Sequence, residues 1–478
     1  MCEVLERAEA FAGLARSRKA FHEKKMTSAQ EAAEVRSDAG VSDPFISVAA
    51  ARPSMTSRIR RLATKNFDVI TTVATSFGVF WLFAVQGIFL ARLLGPEMRA
   101  EYGTVVLYTQ TLTFIGLLGT LLSIAAHAAR NPEALTGLRR AAIRLGIITG
   151  VTTAFVVAIL ALTALPAAKA YLAGLCIVCA LLLPFDHVRL TLLAVDHGSG
   201  HFTKYNRNVL FNAALLPVLL CVLWAAGIRS LHLIVAGTIL IPLLSLIYRF
   251  ASEGLGIIGR HSEPPIRTLL AEGVPYAFAQ TSSDLFNRLD AILILWLASL
   301  KDQGYYTAAV SAASLMFVAP NALALFSFKS SARADQSASV GKVVGAGLAV
   351  AGIQLVTVVA ILAVIEPLII FVFGSSFRGA VPYAKVLLMA QAIGGLTYVA
   401  GGYLRGRRKS FIEVRTRIIA AAVIVSIALA LRSSQGQMSV PIAALCGQAT
   451  CASVLCWAVV NDARQRRLDR ALVKDPAT

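Results

Sequence analysis

Leu269–Leu300 reads LLAEGVPYAFAQTSSDLFNRLDAILILWLASL. About 20 apolar residues suffice to cross the hydrocarbon of a bilayer, and this stretch is long enough to do so as one helix. Its middle nevertheless carries Gln280, Asp284, Asn287, Arg288 and Asp290. At 3.6 residues per turn, Gln280, Asp284, Asn287 and Arg288 share one face, with Asp290 on its far edge. Asp284 precedes Arg288 by four, the favourable order for an acid and a base on a helix. Each such charge costs about 2.5–3.5 kcal/mol at mid-bilayer. A cost of that size predicts that the face lines a water-filled path. The alternative is a salt bridge that only locks two helices together.

The rest of the chain puts this stretch in a membrane. Of 478 residues, 57% are hydrophobic and 15% charged, against about 25% charged in soluble domains. The mean hydropathy is +0.69. Apolar runs near spanning length recur from Phe67 to Val460, without the period-2 alternation of a membrane β-barrel. The sequence therefore predicts an all-α polytopic membrane protein with about twelve transmembrane helices.

The formal charge of +19 does not point to nucleic acid, because its placement follows alternate loops. One set holds Arg139 and Arg140; Lys204 and Arg207; Arg260 and Arg267; Lys329, Arg333 and Lys342; Arg405 to Lys409; then Arg464, Arg466, Arg467 and Arg470. The other holds single cations or a pair, such as Lys169 and Arg92 with Arg99. The positive-inside bias makes the first set cytoplasmic and places both termini inside. That topology predicts a multi-pass membrane protein with both termini in the cytoplasm.

Five segments follow. Residues 1–66 read as a largely disordered, basic cytoplasmic tail. Met55 is read as an alternative start, because Thr56–Asn66 already makes a basic lead-in. Residues 67–250 form a first six-helix bundle, 251–268 a cytoplasmic connector, 269–462 a second six-helix bundle and 463–478 a basic tail. Short patterns recur between the halves. Ala100-Glu101-Tyr102-Gly103 follows the first span, and Gln303-Gly304-Tyr305-Tyr306 follows the seventh. Such symmetry predicts parallel repeats about an axis along the membrane normal.

Several junctions resemble a known family. Ala91-Arg92-Leu93-Leu94-Gly95-Pro96-Glu97 with Glu101-Tyr102 is similar to the "ARLLGPE…EY" junction of bacterial oligosaccharide flippases, members of the multidrug/oligosaccharidyl-lipid/polysaccharide exporter superfamily. Asn287-Arg288-Leu289-Asp290 with Gly304-Tyr305-Tyr306 resembles that family's seventh and eighth helices. Phe373-Gly374-Ser375-Ser376-Phe377 resembles its "FG-x-x-F" loop, and Gly200-His201-Phe202 with Tyr205-Asn206 its entry to the fifth helix. The resemblance covers roughly 66–464 and departs at Ala100, where relatives often carry Gly. It implies a V of two six-helix bundles like that of multidrug and toxic compound extrusion (MATE) transporters. It also implies alternating access and a polyprenyl-linked sugar as cargo.

Such cargo carries a pyrophosphate, hydroxyls and an apolar tail. Arginine pairs bidentately with phosphate oxygens, which makes Arg288 the leading ligand, followed by Lys385 and Arg144. Arg92, at a helix end, is expected to snorkel to the interface. Sugar hydroxyls call for amides and aromatic faces, which Gln86, Tyr108, Gln280, Asn287, Gln391 and Tyr398 supply. Gln110 is read as an interhelical hydrogen bond. Coupling to a proton or sodium needs an acid whose charge state can change, and Asp284 and Asp290 are the candidates. Asp186, His187 and Arg189 are read as a solvated helix end, with a gate at the cytoplasmic mouth as the alternative.

No cofactor is expected. Cys176 and Cys179 lack a second pair or a nearby His. No Gly-rich phosphate loop, nucleophile elbow or zinc-protease helix is present, so an enzyme is not expected. Three functions remain open at this point. The first is a lipid-linked oligosaccharide flippase serving O-antigen, capsule or exopolysaccharide assembly, with membrane lipids and polymerase machinery as partners. The second is a cation-coupled exporter of drugs or metabolites. The third is a membrane scaffold that recruits a synthase.

Overall fold

The computed structural model describes residues 55–254, 263–317, 320, 323, 327, 338–407 and 409–474. Residues 1–54 of the expected 1–66 tail and residues 255–262 of the 251–268 connector lie outside the described residues, and the rest of that tail begins the first helix. The chain divides into two units, Met1–Lys65 and Asn66–Thr478, and the second carries the architecture below.

Helices account for nearly all of it. The first half contains α1 (Met55–Gly116), α2 (Thr120–Arg130), α3 (Leu135–Thr163), α4 (Ala173–Ala180), α5 (Leu183–Gly198), α6 (Phe202–Ala225) and α7 (Leu231–Glu253). The second contains α8 (Ile266–Leu297), α9 (Leu300–Ala313), α10 (Ala338–Phe373), α11 (Val381–Gly406), α12 (Ser410–Ala430) and α13 (Ser439–Lys474). No strand occurs among the described residues.

Seven of the described helices are long and apolar enough to cross a bilayer, and the bent pair of Ala167–Ala180 and Leu183–Gly198 makes an eighth. The 46-residue run Thr71–Gly116 in α1 is twice the length one crossing needs. It breaks at Gly95, whose φ of 68° leaves the helical region. Gly tolerates that backbone without a Cβ clash, so α1 reads as the first two spans. The remaining crossings fall on α8, α9 and α12. Two of these are less apolar because they carry charges: α8 Asp284, Arg288 and Asp290, and α12 Glu413, Arg415 and Arg417. The outcome is the expected all-α, MATE-like arrangement of about twelve crossings.

The helices depart from simple unbroken spans ending at 462 in three places. The second span does not run unbroken, because Leu118 and Gly119 take positive φ and end the helix before α2 starts. The fourth span starts as a 3-10 turn over Ala167–Leu172 and bends by 44° between α4 and α5. At the other end of the chain, α13 continues to Lys474, past the expected boundary at 462.

Each half has its own apolar core. The first is built around Leu94, Val105, Cys176, Leu183, Leu220 and Ile234. The second is built around Tyr306, Ile369, Phe377, Leu388, Tyr403 and Leu455. Within the first half, α3 and α5 touch backbone to backbone, because Gly146 and Gly150 lie against Val188 and Pro184. Small residues four apart allow such close approach between membrane helices.

The halves meet at the recurring patterns. Gln303 Nε2 donates to Thr104 Oγ1 at 2.9 Å and to the Ala100 carbonyl at 3.4 Å. Gly304 lies against the Pro96 carbonyl. The two segments that recur in sequence are thus packed against each other.

Candidate functional site

Helix α8 positions the site. It starts after Pro264-Pro265 and runs 32 residues without interruption, so its polar stripe lies near its middle. Arg288 is partly buried and faces the other half: Nη1 donates to Gln110 Oε1 at 3.2 Å. Asp284 and Asp290 both lie within electrostatic range of its guanidinium. The expected interhelical hydrogen bond of Gln110 is therefore present, and it is Arg288 that it holds.

Asp290 faces the opposite way, into the second half. Its Oδ2 accepts from the Tyr306 hydroxyl at 2.6 Å and its Oδ1 from the Ala291 amide at 2.8 Å. Beside it is a cavity of about 130 Å³, lined by Asn287, Asp290, Gln391, Tyr398 and Gln448 together with apolar side chains of α8, α11, α12 and α13. The space is large enough for several waters. Gln391 Oε1 is buried without a hydrogen-bond partner. Buried amide oxygens are normally paired, so this one marks room for a donor.

Asn287, Asp290, Gln391 and Tyr398 are thus brought together, with Arg288 on the adjoining face of α8. The other sequence candidates lie elsewhere. Tyr108 donates to the Ala164 carbonyl at 2.8 Å inside the first half. Arg144 is exposed and donates to Glu263 Oε2 at 2.8 Å, alongside Arg140 on Oε1. Lys385 is exposed one turn into α11 and is not among the cavity-lining residues. Gln86 is half-buried on α1. The side chain of Gln280 lies outside the described residues.

Sequence reading missed several charged groups. Lys169, counted as a loop cation, is 3% exposed. Its Nζ donates to the carbonyls of Leu295 at 2.6 Å and Ala298 at 3.2 Å, and to Gln303 Oε1 at 2.7 Å. Arg99 is buried, donates to the Gly87 carbonyl at 2.7 Å and Ser311 Oγ at 2.9 Å, and lies over the rings of Phe373 and Phe377. Arg92 does not only snorkel: it donates to the carbonyls of Phe371 and Val372 in the other half. Lys169 and Arg92 thus cap the carbonyl ends of α8 and α10, where the helix dipole favours a cation.

Arg417 of α12 is buried too, donating to Glu413 Oε1 and Ser283 Oγ, each at 2.6 Å. Its spacing from Glu413, four residues, was a legible signal. His187 is fully buried and hydrogen-bonded to Thr149 Oγ1 at 3.0 Å, while Asp186 pairs with Arg189 at 2.6 Å. That overturns the reading of a solvated helix end; α5 packs this segment against α3.

At the end of the molecule opposite Lys169, Glu272 approaches His127 and Arg130 at 3.8 Å. The backbones of Gly119 and Gly273 touch there. The halves are therefore bridged at both ends and by the Arg288–Gln110 contact between them. The described residues contain no cluster of three or more His, Cys, Asp or Glu able to hold a metal ion.

Comparison with known proteins matches residues 89–382 to the model of a family described as polysaccharide biosynthesis protein. No curated protein matches the chain. Solved structures do. An inward-facing multidrug resistance MATE family transporter of the MOP superfamily is 16% identical, with a TM-score of 0.68 over 81% of this chain and 94% of its own. The lipid II flippase MurJ in an inward closed conformation is 13% identical, with a TM-score of 0.64 over 82% and 87%. The eukaryotic MATE transporter AtDTX14 is 15% identical, with a TM-score of 0.60 over 85% and 99%. At these identities the likeness is one of fold.

Proposed function

The chain belongs to the polysaccharide biosynthesis protein family, and from that premise we propose that it is a flippase for a polyprenyl-(pyro)phosphate-linked oligosaccharide. The basic loops set its orientation, with the Glu263 and Glu272 contacts on the cytoplasmic side of the inner membrane and the Lys169 and Arg99 contacts on the periplasmic side. Cargo would pass between the halves by alternating access, for surface polysaccharide assembly.

The observation that carries this reading is the Arg288–Gln110 hydrogen bond at 3.2 Å, which joins the halves at mid-helix. A partly buried arginine whose hydrogen bond across the halves goes to a neutral amide can exchange it for a stronger, anionic partner. Separation of the halves removes Gln110 and uncovers the guanidinium. A phosphate then offers bidentate, charge-assisted hydrogen bonds, which are roughly twice as strong as neutral ones. Asp284 and Asp290, within range of the same guanidinium, link its occupancy to proton or sodium binding. The hydroxyl and amide groups around the adjoining cavity suit sugar hydroxyls.

Arg288→Ala is expected to abolish polysaccharide export while the protein still inserts, and Arg288→Lys to recover part of it. Normal surface polysaccharide in the alanine variant overturns the role. A second reading, a cation-coupled exporter of drugs or metabolites, draws on the likeness to the multidrug resistance transporter. A deletion strain with altered drug resistance and normal polysaccharide favours that reading.

A further inference from the structure

Between α12 and α13, at the end where both reach the basic loops, lies an open groove of about 370 Å³. One end is polar: Lys409, Arg415, Asn461, Asp462 and Gln465. The other end, deeper along both helices, is formed by Ile419, Val454 and Trp457. Trp457 is 67% exposed, and Phe411, Ile418 and Ile419 on α12 are exposed as well. Such a face is unfavourable in water and ordinary against acyl chains, and tryptophan concentrates at the depth of lipid headgroups.

The polar end is not neutralised from within. Asp462 is already matched, accepting from Lys409 Nζ at 2.5 Å and from the Tyr403 hydroxyl at 2.6 Å. Arg415 lies over the Phe411 ring and makes no hydrogen bond or ion pair among the described residues. A cation stacked on an aromatic keeps its outward N–H groups available. Arg464, exposed one turn further along α13, adds to the positive field.

We propose that this groove binds an anionic phospholipid of the adjoining leaflet, its phosphate on Arg415 and its acyl chain along Ile419, Val454 and Trp457. The charge asymmetry selects the ligand: a free cation above an apolar channel fits a molecule with an anionic head and a hydrocarbon tail. The groove shares no lining residue with the cavity beside Asp290.

The test uses the full chain in neutral detergent, stripped of lipid, with native mass spectrometry and thermal unfolding as readouts. Phosphatidylglycerol is expected to give a retained adduct and a higher unfolding temperature, with phosphatidylethanolamine markedly weaker. Arg415→Gln is expected to weaken phosphatidylglycerol about fivefold, the scale of one basic residue at a lipid surface, and Arg415→Lys to retain most of it. Arg432→Gln removes the same charge at the opposite end and should change nothing.

Equal retention of the two lipids overturns the proposal, because the groove is then ordinary annular surface. So do equal effects of the two Gln variants, or a response to inorganic phosphate that matches the response to lipid. A change in oligomeric mass without loss of the lipid adduct would make this a self-association face instead.

Discussion

The Nζ of Lys169 donates to the backbone carbonyl of Leu295 at 2.6 Å, joining residues 126 apart in sequence and on opposite halves of the molecule. The partners of this ammonium are carbonyls and an amide, with no carboxylate among them. Such a contact closes one end of the molecule through hydrogen bonds and the α8 dipole, and salt screens it little because it is buried.

Lys169→Met removes the donor and leaves the α8 carbonyls buried without a partner, which costs about 1–3 kcal/mol for a group of this kind. The expected result is a lower unfolding temperature and faster labelling of a cysteine placed at Ser311, in a background lacking native cysteines, by an impermeant thiol reagent. Unchanged labelling would show that Lys169 does not hold this end closed.

Two glycines should act in opposite directions. A Cβ at Gly304 would overlap the Pro96 carbonyl, and a Cβ at Gly273 would press on the Leu118 carbonyl at the other end. Overpacking of this kind costs about 1–3 kcal/mol. Gly304→Ala should therefore favour opening at the Lys169 end, and Gly273→Ala opening at the Glu272 end. Spin-label distances across each end check this. Gly345→Ala, where nothing lies within 4 Å, is the neutral control.

Arg417 and Glu413 form a buried pair at 2.6 Å. Removing one partner of a buried pair costs about 3–5 kcal/mol, whereas replacing both with neutral groups of similar volume costs far less. Arg417→Ala should strongly reduce the yield of folded protein, and Arg417→Met with Glu413→Gln should restore most of it. If the double variant is as unstable as the single, the pair is not coupled as the geometry implies.

The sequence by itself determined the class, the approximate number of crossings, the division into halves and the prominence of α8. Those features depend on sums over neighbouring residues: hydropathy over about 20 positions, and a polar stripe at helical spacing. It also singled out Asn287, Gln391 and Tyr398 for sugar hydroxyls and Asp290 for ion coupling, and all four line one cavity.

Tertiary structure decided what each polar group touches. Tyr108 meets Ala164, Arg144 meets Glu263, and Arg288 meets Gln110, at separations of 56, 119 and 178 residues. Gln448 joined the cavity only when α13 packed beside α11 and α12. Lys169 looked like an ordinary loop cation until folding buried it against the end of α8. The physical reason is the reach of the interactions. Partition into a bilayer is set by local composition, whereas the partner of a buried charge is set by how distant helices pack, which no local pattern along the chain records.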